Sequence, residues 1–312
     1  MEFIEGTQIF SPLSETSVTI GNFDGVHLGH RELVRRTVAH AKAFNLPSVA
    51  LIFSPHPIRF FRPELRFCEV TTVRKKAARM EELGIDVFVV ESFNEEIGDM
   101  SPEEFAEKIL RRRLRARIVT VGYNFSFGGQ RTGSPEILAE LGRKLGFEVD
   151  IMPPLMHGGA VVSSSRIREL LLAGKVRETE ELLCRPFEVC GSVGHGAGRG
   201  RQLGFPTANV MFSCELSLLP GVYVADVKVG DACFRGVANV GSNPTFDGSF
   251  IGVEAHLLDF NGDLYGKNVT VRFRERIRDE RKFQSADELV TQIQNDVEFA
   301  RRMNLPIWEG PS

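Results

Sequence analysis

From residue 17 to about 183, short apolar or β-branched runs alternate with amphipathic helical stretches, each pair filling about 30 residues. The runs Ser17–Ile20, Ser48–Phe53, Asp86–Val90, Ile118–Val121 and Glu148–Met152 are mostly continuous in apolar character. A parallel sheet covered on both faces requires such runs, so the pattern predicts a doubly wound α/β domain. Helix starts are explicit between them. Ser101-Pro102 with Glu104 three residues after the serine reads as a capping box with proline at the first helical position, and Ser134-Pro135 repeats the Ser-Pro start. In the first helix Leu33, Val34, Val38 and Ala41 share one face while Arg35, Arg36 and Lys42 take the other.

After about Arg185 the helical period gives way to alternation of period two. Tyr223, Ala225, Val227 and Val229 alternate with Val224, Asp226 and Lys228, and Val269, Val271, Phe273 and Ile277 alternate with Thr270, Arg272, Arg274, Arg276 and Arg278. Runs near 187–193, 207–212, 221–229, 233–240, 250–259 and 268–277 predict an antiparallel six-stranded β-barrel. A C-terminal helix follows, started by Ser285 with Glu288, its buried stripe being Leu289, Val290, Ile293, Val297 and Ala300. The boundary falls at Cys184-Arg185-Pro186, where proline forbids further helix, giving domains 1–184 and 185–312. The arginines at 272–278 are expected to coat the outer strand face, and Arg111, Arg112, Arg113, Arg115 and Arg117 to form a solvated helix end.

Composition changes the picture mainly by exclusion. With 38 Lys+Arg against 41 Asp+Glu the net charge is −3, so no global positive field favours nucleic acid. The acidic start and the lack of a long apolar run predict a cytoplasmic protein without a membrane partner. Five cysteines without a C-x-x-C pair suggest buried reduced thiols. A weak homo-oligomer is the expected assembly.

The first domain's chemistry lies where the strand ending at Ile20 runs into Gly21-Asn22-Phe23-Asp24-Gly25-Val26-His27-Leu28-Gly29-His30 and then a helix. Glycines allow close backbone approach, and free amides with the helix dipole favour a phosphate. His27 and His30 could cap the helix or pack in the core, but beside these glycines they are placed to donate to phosphoryl oxygens as charge builds on phosphorus. Ser163-Ser164-Ser165-Arg166-Ile167-Arg168 opens another helix at the end of the same sheet, and its hydroxyls, amides and Arg168 form a second anion cradle.

In the second domain His195-Gly196-Ala197-Gly198-Arg199-Gly200-Arg201-Gln202-Leu203-Gly204-Phe205-Pro206-Thr207-Ala208-Asn209 dominates. It is no G-x-x-x-x-G-K-[ST] loop, and none occurs elsewhere, so a kinase here would be unconventional. The glycines and arginines suit a basic flap that wraps phosphates through backbone amides. In an extended segment Thr207 and Asn209 point to one side, about 7 Å apart, and two neutral oxygens can hold a magnesium ion that keeps its waters. Glu254 stands opposite the Ile251, Val253, Ala255 and Leu257 face; such a glutamate is either a solvated outer residue or, beside magnesium, an acceptor of a hydroxyl proton.

H-x-G-H after a strand, paired with a late S-S-S-x-I-R, resembles the nucleotidyltransferases that transfer AMP from ATP. With Phe53-Ser54-Pro55-His56-Pro57, Leu83-Gly84-Ile85-Asp86 and Gly122-Tyr123-Asn124-Phe125-Ser126-Phe127-Gly128, the first half resembles the FMN adenylyltransferase module of bacterial bifunctional riboflavin kinase/FAD synthetases. The Pro206-Thr207-Ala208-Asn209 string, Gly241-Ser242-Asn243-Pro244-Thr245-Phe246, Val253-Glu254 and Arg278-Asp279-Glu280-Arg281-Lys282-Phe283 resemble the riboflavin kinase signature in its order. The resemblance implies ATP bound by Gly21, Phe23, Gly25, His27, His30, Ser163, Ser164 and Arg168 in one domain and by Gly196, Thr207 and Asn209 in the other. It further implies a flavin beside Phe53 and Asn124 in the first domain and near Arg278 in the second, Mg²⁺ on Thr207 and Asn209, and Glu254 as base. Riboflavin, FMN and ATP are then the partners, with His27, His30 and Glu254 carrying the chemistry. A flavin-binding protein without activity and an enzyme of one activity are the alternatives.

Overall fold

The computed structural model describes residues 1–7, 14–65, 67–196, 198–212, 216–242 and 251–308. They form two compact units, Met1–Ser164 and Ser165–Ser312.

The first unit is built on a parallel sheet of β1 (Glu2–Glu5), β2 (Thr16–Ile20), β3 (Ser48–Ser54), β4 (Val87–Ser92), β5 (Ala116–Gly122) and β6 (Glu148–Met152). Their order is β1-β4-β3-β2-β5-β6, so the chain winds one way through β2, β3 and β4 and reverses between β2 and β5. Both faces of the central strands are covered: Val18, Val49, Leu51 and Val119 are fully buried on one side, and Ala50, Ile52 and Phe88 on the other, while the buried Thr16, Ser17 and Thr19 of β2 donate their hydroxyls to the Leu114, Thr37 and Thr120 carbonyls. The first helix, Leu28–Phe44, buries Leu33, Val34 and Ala41 as its pattern requires. Ser101 and Glu104 form the expected capping box, and Ser134 accepts from the Ile137 amide with Pro135 at the first helical position. A short hairpin, β7 (Met156–His157) and β8 (Ala160–Val161), leads to the helix Ser164–Leu172.

In the second unit the helix Val176–Leu183 ends at Cys184 in the left-handed conformation (φ 57°). β9 (Phe187–Gly194), β10 (Ala208–Met211), β11 (Gly221–Val229), β12 (Ala232–Ser242), β13 (Ile251–Leu257) and β14 (Asn268–Arg278) then close an antiparallel barrel in the order β10-β13-β12-β11-β14-β9. The period-two alternation resolves into an interior of Tyr223, Ala225, Val227, Ala238, Val253, Ala255, Val271 and Phe273, all essentially inaccessible. The outer face is divided. Val222, Val224 and Val237 pack with Ala300 of the C-terminal helix Ala286–Arg302.

Three expectations need correction. The arginines of β14 do face outward, but Arg272 and Arg274 are buried rather than solvated. The segment after the C-terminal helix covers them: Arg272 donates to the Trp308 carbonyl (2.6 Å), Arg274 to that of Pro306 (3.1 Å), and Arg235 to that of Leu305 (2.8 Å). The fully buried Asp226 balances this layer, ion-paired to Arg235 (2.9 Å) and Arg274 (2.5 Å). Replacing Asp226 with alanine removes the buried carboxylate shared by Arg274 and the half-buried Arg235, and is expected to cost the barrel about 3 kcal/mol, read as a lower unfolding midpoint in denaturant. The C-terminal helix keeps its N-cap, Ser285 to the Glu288 amide, but Leu289, Val290, Ile293 and Val297 are only half-buried while Asp296 is buried. Asp296 takes the Arg278 guanidinium (2.7 Å), so the helix is held by charge as well as by apolar contact. No disulfide joins the described cysteines, yet Cys184 and Cys190 are exposed and Cys68 and Cys233 half-buried; Cys214 lies outside the described residues.

Candidate active sites

Strand β2 ends beside the point where the chain order reverses, and in doubly wound sheets ligands bind there, at the carboxyl ends of the strands. The turn leaving β2 is held by positive φ at Phe23 (46°), Gly25 (89°) and Val26 (43°). Gly25 suits that conformation; the two bulky residues adopt it because neighbours fix the turn. Asp24, 1% exposed, accepts from the Thr71 amide (3.0 Å), and its own carbonyl accepts from the Ser164 hydroxyl (2.8 Å). That last bond brings the Gly21–His30 segment and the Ser163-Ser164 segment together across 140 residues of chain.

His27 caps the first helix, its Nδ1 accepting from the His30 amide (3.3 Å), which leaves the ring proton on Nε2. The two rings stack at 3.6 Å between centroids and 17° between planes, and Phe23 meets His30 edge-on at 5.2 Å. A side chain at Gly29 would press on the His27 ring, and one at Gly21 would touch Phe23. Buried His30 Nδ1 has no hydrogen-bond partner among the described residues. Burial, then the neighbouring His27, then Lys76, hold His30 well below the ordinary histidine pKa. Unfolded, the same ring titrates near 6.5, so below that pH the unfolded chain takes up a proton that the folded one refuses. Stability is therefore present above about pH 6.5 and lost as the pH falls, with a slope approaching about 1.4 kcal/mol per pH unit. Thermal unfolding of the first unit is expected to show this loss, and His30→Gln to flatten it.

Phe53, at the end of β3, is half-buried among Phe93 (5.6 Å) and Phe105 (6.3 Å), and Phe125 stacks on Phe127 (5.4 Å, 15°) in the segment after β5. Asn124 is exposed in the same segment, its Oδ1 over Gly122. Residues from the ends of β3, β2 and β5 thus converge on neighbouring strands. Arg168 follows Ser164 by four residues in one helix. Sequence reasoning missed Lys76, fully buried with its ammonium on Glu69 (2.7 Å), because a lysine in an amphipathic helix ordinarily reads as solvated.

On the barrel, Ala208 and Val210 point inward, so Thr207 and Asn209 share the outer side. Register supplies the rest. Asn209 on β10 lies directly opposite Glu254 on β13, and Glu254 in turn opposite Asn239 on β12. Glu254 is half-buried beside the likewise outward His256, whose ring Nδ1–H donates to the Pro206 carbonyl (2.8 Å) and so fixes the turn before Thr207. A side chain at Gly196 would collide with the Asn209 carboxamide, and one at Gly200 would collide with the Phe205 carbonyl and touch Thr207 Oγ1. The flap therefore needs bare backbone against the two oxygen donors, a cradle that fits a cation carrying nucleotide phosphates. His195 stacks on Tyr265 at 4.2 Å. The guanidinium of Arg278 is committed to Asp296 and to the Asp279 carbonyl (3.0 Å). Residues 243–246 of the Gly241–Phe246 motif lie outside the described residues.

A doubly wound unit whose turn at the switch point suits an anion, and a closed barrel beside a glycine-rich segment suited to phosphates, fit an ATP-using transferase. The FAD synthetase family model matches residues 10–166 and the Riboflavin kinase model residues 183–304. The bifunctional riboflavin kinase/FMN adenylyltransferase of Escherichia coli (strain K12) is 36% identical over 304 residues, 96% of this chain and 97% of that protein. The protein of the same description from Pseudomonas fluorescens is 38% identical over 308 residues, 98% and 99% of the two chains. A crystal structure described as a macrolide-efflux protein from Streptococcus pneumoniae matches with TM-score 0.90 at 32% identity, over 97% of this chain and all of that one. Among the described residues here, no helix is long and apolar enough to cross a membrane. The chain belongs to the bifunctional riboflavin kinase/FMN adenylyltransferase family.

Proposed function

We propose that the chain makes FAD from riboflavin in two ATP-dependent steps at separate sites in the cytoplasm, with domains 1–184 and 185–312 as the functional modules. On the barrel the riboflavin 5′-hydroxyl attacks the γ-phosphorus of ATP, its proton passes to the Glu254 carboxylate, and ADP leaves. Thr207 Oγ1 and Asn209 Oδ1 are the residues that would hold Mg²⁺, which when bound neutralises charge on the nucleotide phosphates. Gly196 lets the flap backbone close on those phosphates, and Arg278, anchored to Asp296, fixes the start of the 279–283 segment over the flavin.

In the doubly wound unit an FMN phosphate oxygen attacks the α-phosphorus of a second ATP. His27 Nε2–H, and the His30 ring stacked on it, stabilise negative charge growing on the five-coordinate phosphorus. Gly21, Phe23 and Gly25 shape the turn around the nucleotide. Pyrophosphate departs toward Ser163, Ser164 and Arg168, while Phe53 and Asn124 face the flavin.

The observation that carries this reading is the barrel register, which sets Asn209 directly against Glu254 although 45 residues separate them in the chain. Incubation with riboflavin, ATP and Mg²⁺ followed by chromatography of the flavins tests it: FMN and then FAD are expected, and unchanged riboflavin would refute it. Chelation of the divalent ion is expected to stop FMN formation, and added Mg²⁺ to restore it.

A further inference from the structure

Glu254 does not stand alone on its strand. Its other cross-strand neighbour, Asn239, lies on the same half-buried outer side. Directly opposed residues in an antiparallel pair have Cβ atoms about 4.5–5.5 Å apart, within reach of a carboxamide and a carboxylate. Asn239 is itself held: its Nδ2 donates to Glu280 Oε1 (3.2 Å). Glu280 belongs to the segment after β14, whose start is locked to the C-terminal helix by the Arg278–Asp296 pair (2.7 Å). The Glu280 carboxylate rests on Gly241, where any side chain would displace it. Glu280, from a segment remote in the chain, thus holds the Asn239 amide, and strand register sets Asn239 directly opposite Glu254.

We propose that Asn239 and Glu280 form a positioning pair for riboflavin phosphorylation. Glu280 takes one N–H of the Asn239 carboxamide and thereby aims the other at Glu254, holding its carboxylate toward the riboflavin hydroxyl. Neither residue touches the reacting atoms; both act through Glu254. The inference rests on Glu254 being the base. It also makes the segment after β14 part of the machinery, since Glu280 reaches Asn239 only while Arg278 keeps that segment in place.

The test measures riboflavin phosphorylation in the full chain, with FMN adenylylation followed in the same samples. Asn239→Ala and Glu280→Ala are each expected to lower kcat about tenfold to a hundredfold, the range for a misplaced reacting group, with KM for ATP within about twofold. Glu280→Gln, whose amide oxygen accepts the same bond, is expected to retain the rate. The double alanine variant should be no slower than the single ones, because the pair acts as a unit. Gly241→Ala, which shifts Glu280 without altering its bonding atoms, is expected to reproduce the loss. Wild-type kcat in Asn239→Ala, or losses that multiply in the double variant, would overturn the inference while an inactive Glu254→Gln left the base assignment standing. An active Glu254→Gln would defeat both.

Discussion

Replacing His27 and His30 with alanine is expected to stop the flavin product at FMN. Loss of one preorganised donor to a developing oxyanion typically costs about 10²–10³ in kcat, so removing both should cost roughly 10⁴ or more in FMN adenylylation. Riboflavin phosphorylation should continue at its original rate, because the residues proposed to hold ATP on the barrel belong to other segments. His27 also caps the first helix through the His30 amide, and losing a cap costs about 1 kcal/mol of stability. His27→Asn separates the two effects: asparagine caps well but cannot place a ring N–H, so FAD formation should fail in a folded chain. Equal loss of both activities in a folded double variant would show that the sites are not separate.

Glu254→Gln is expected to give the reciprocal result. Glutamine keeps the shape and the hydrogen bonding of the side chain but cannot take the riboflavin hydroxyl proton. A positioned general base contributes about 10²–10⁴, and riboflavin phosphorylation should fall by that factor. FMN supplied from outside should still become FAD. A variant phosphorylating riboflavin at the wild-type rate would mean that the proton leaves to water and that the carboxylate has no part in the chemistry.

The doubly wound sheet was legible because parallel strands covered on both faces are rich in apolar residues, a demand written most plainly into β3 and β4, while β2 meets it with Val18 and Ile20 beside buried hydroxyls bonded to backbone carbonyls. The barrel was legible because alternation marks an inside and an outside. β1 escaped notice: it has four residues, two of them glutamates, and one buried side chain, Ile4, and it joins the sheet through backbone bonds to β4 that leave no mark in side-chain pattern. Alternation likewise placed Arg272 and Arg274 on the outer face of β14 but could not say what covers that face. The cover is the segment around Leu305–Trp308, some thirty residues further on, and its carbonyls turn an apparent solvated coat into a buried layer. Proximity in the chain explains the rest of the contrast. His27 and His30 share one helical turn, so their juxtaposition could be read directly. The row Asn209, Glu254, Asn239 exists only through strand register, and the Asp24–Ser164 bond only through the winding of the sheet.

The proposed reaction sequence requires two independent ATP sites, one in each unit. Titration calorimetry with a non-hydrolysable ATP analogue and Mg²⁺ tests this most directly. Two binding events are predicted for the intact chain, one of which disappears in the His27→Asn, His30→Ala variant while the other persists. A single event, or none, in well-folded protein would rule out two ATP sites.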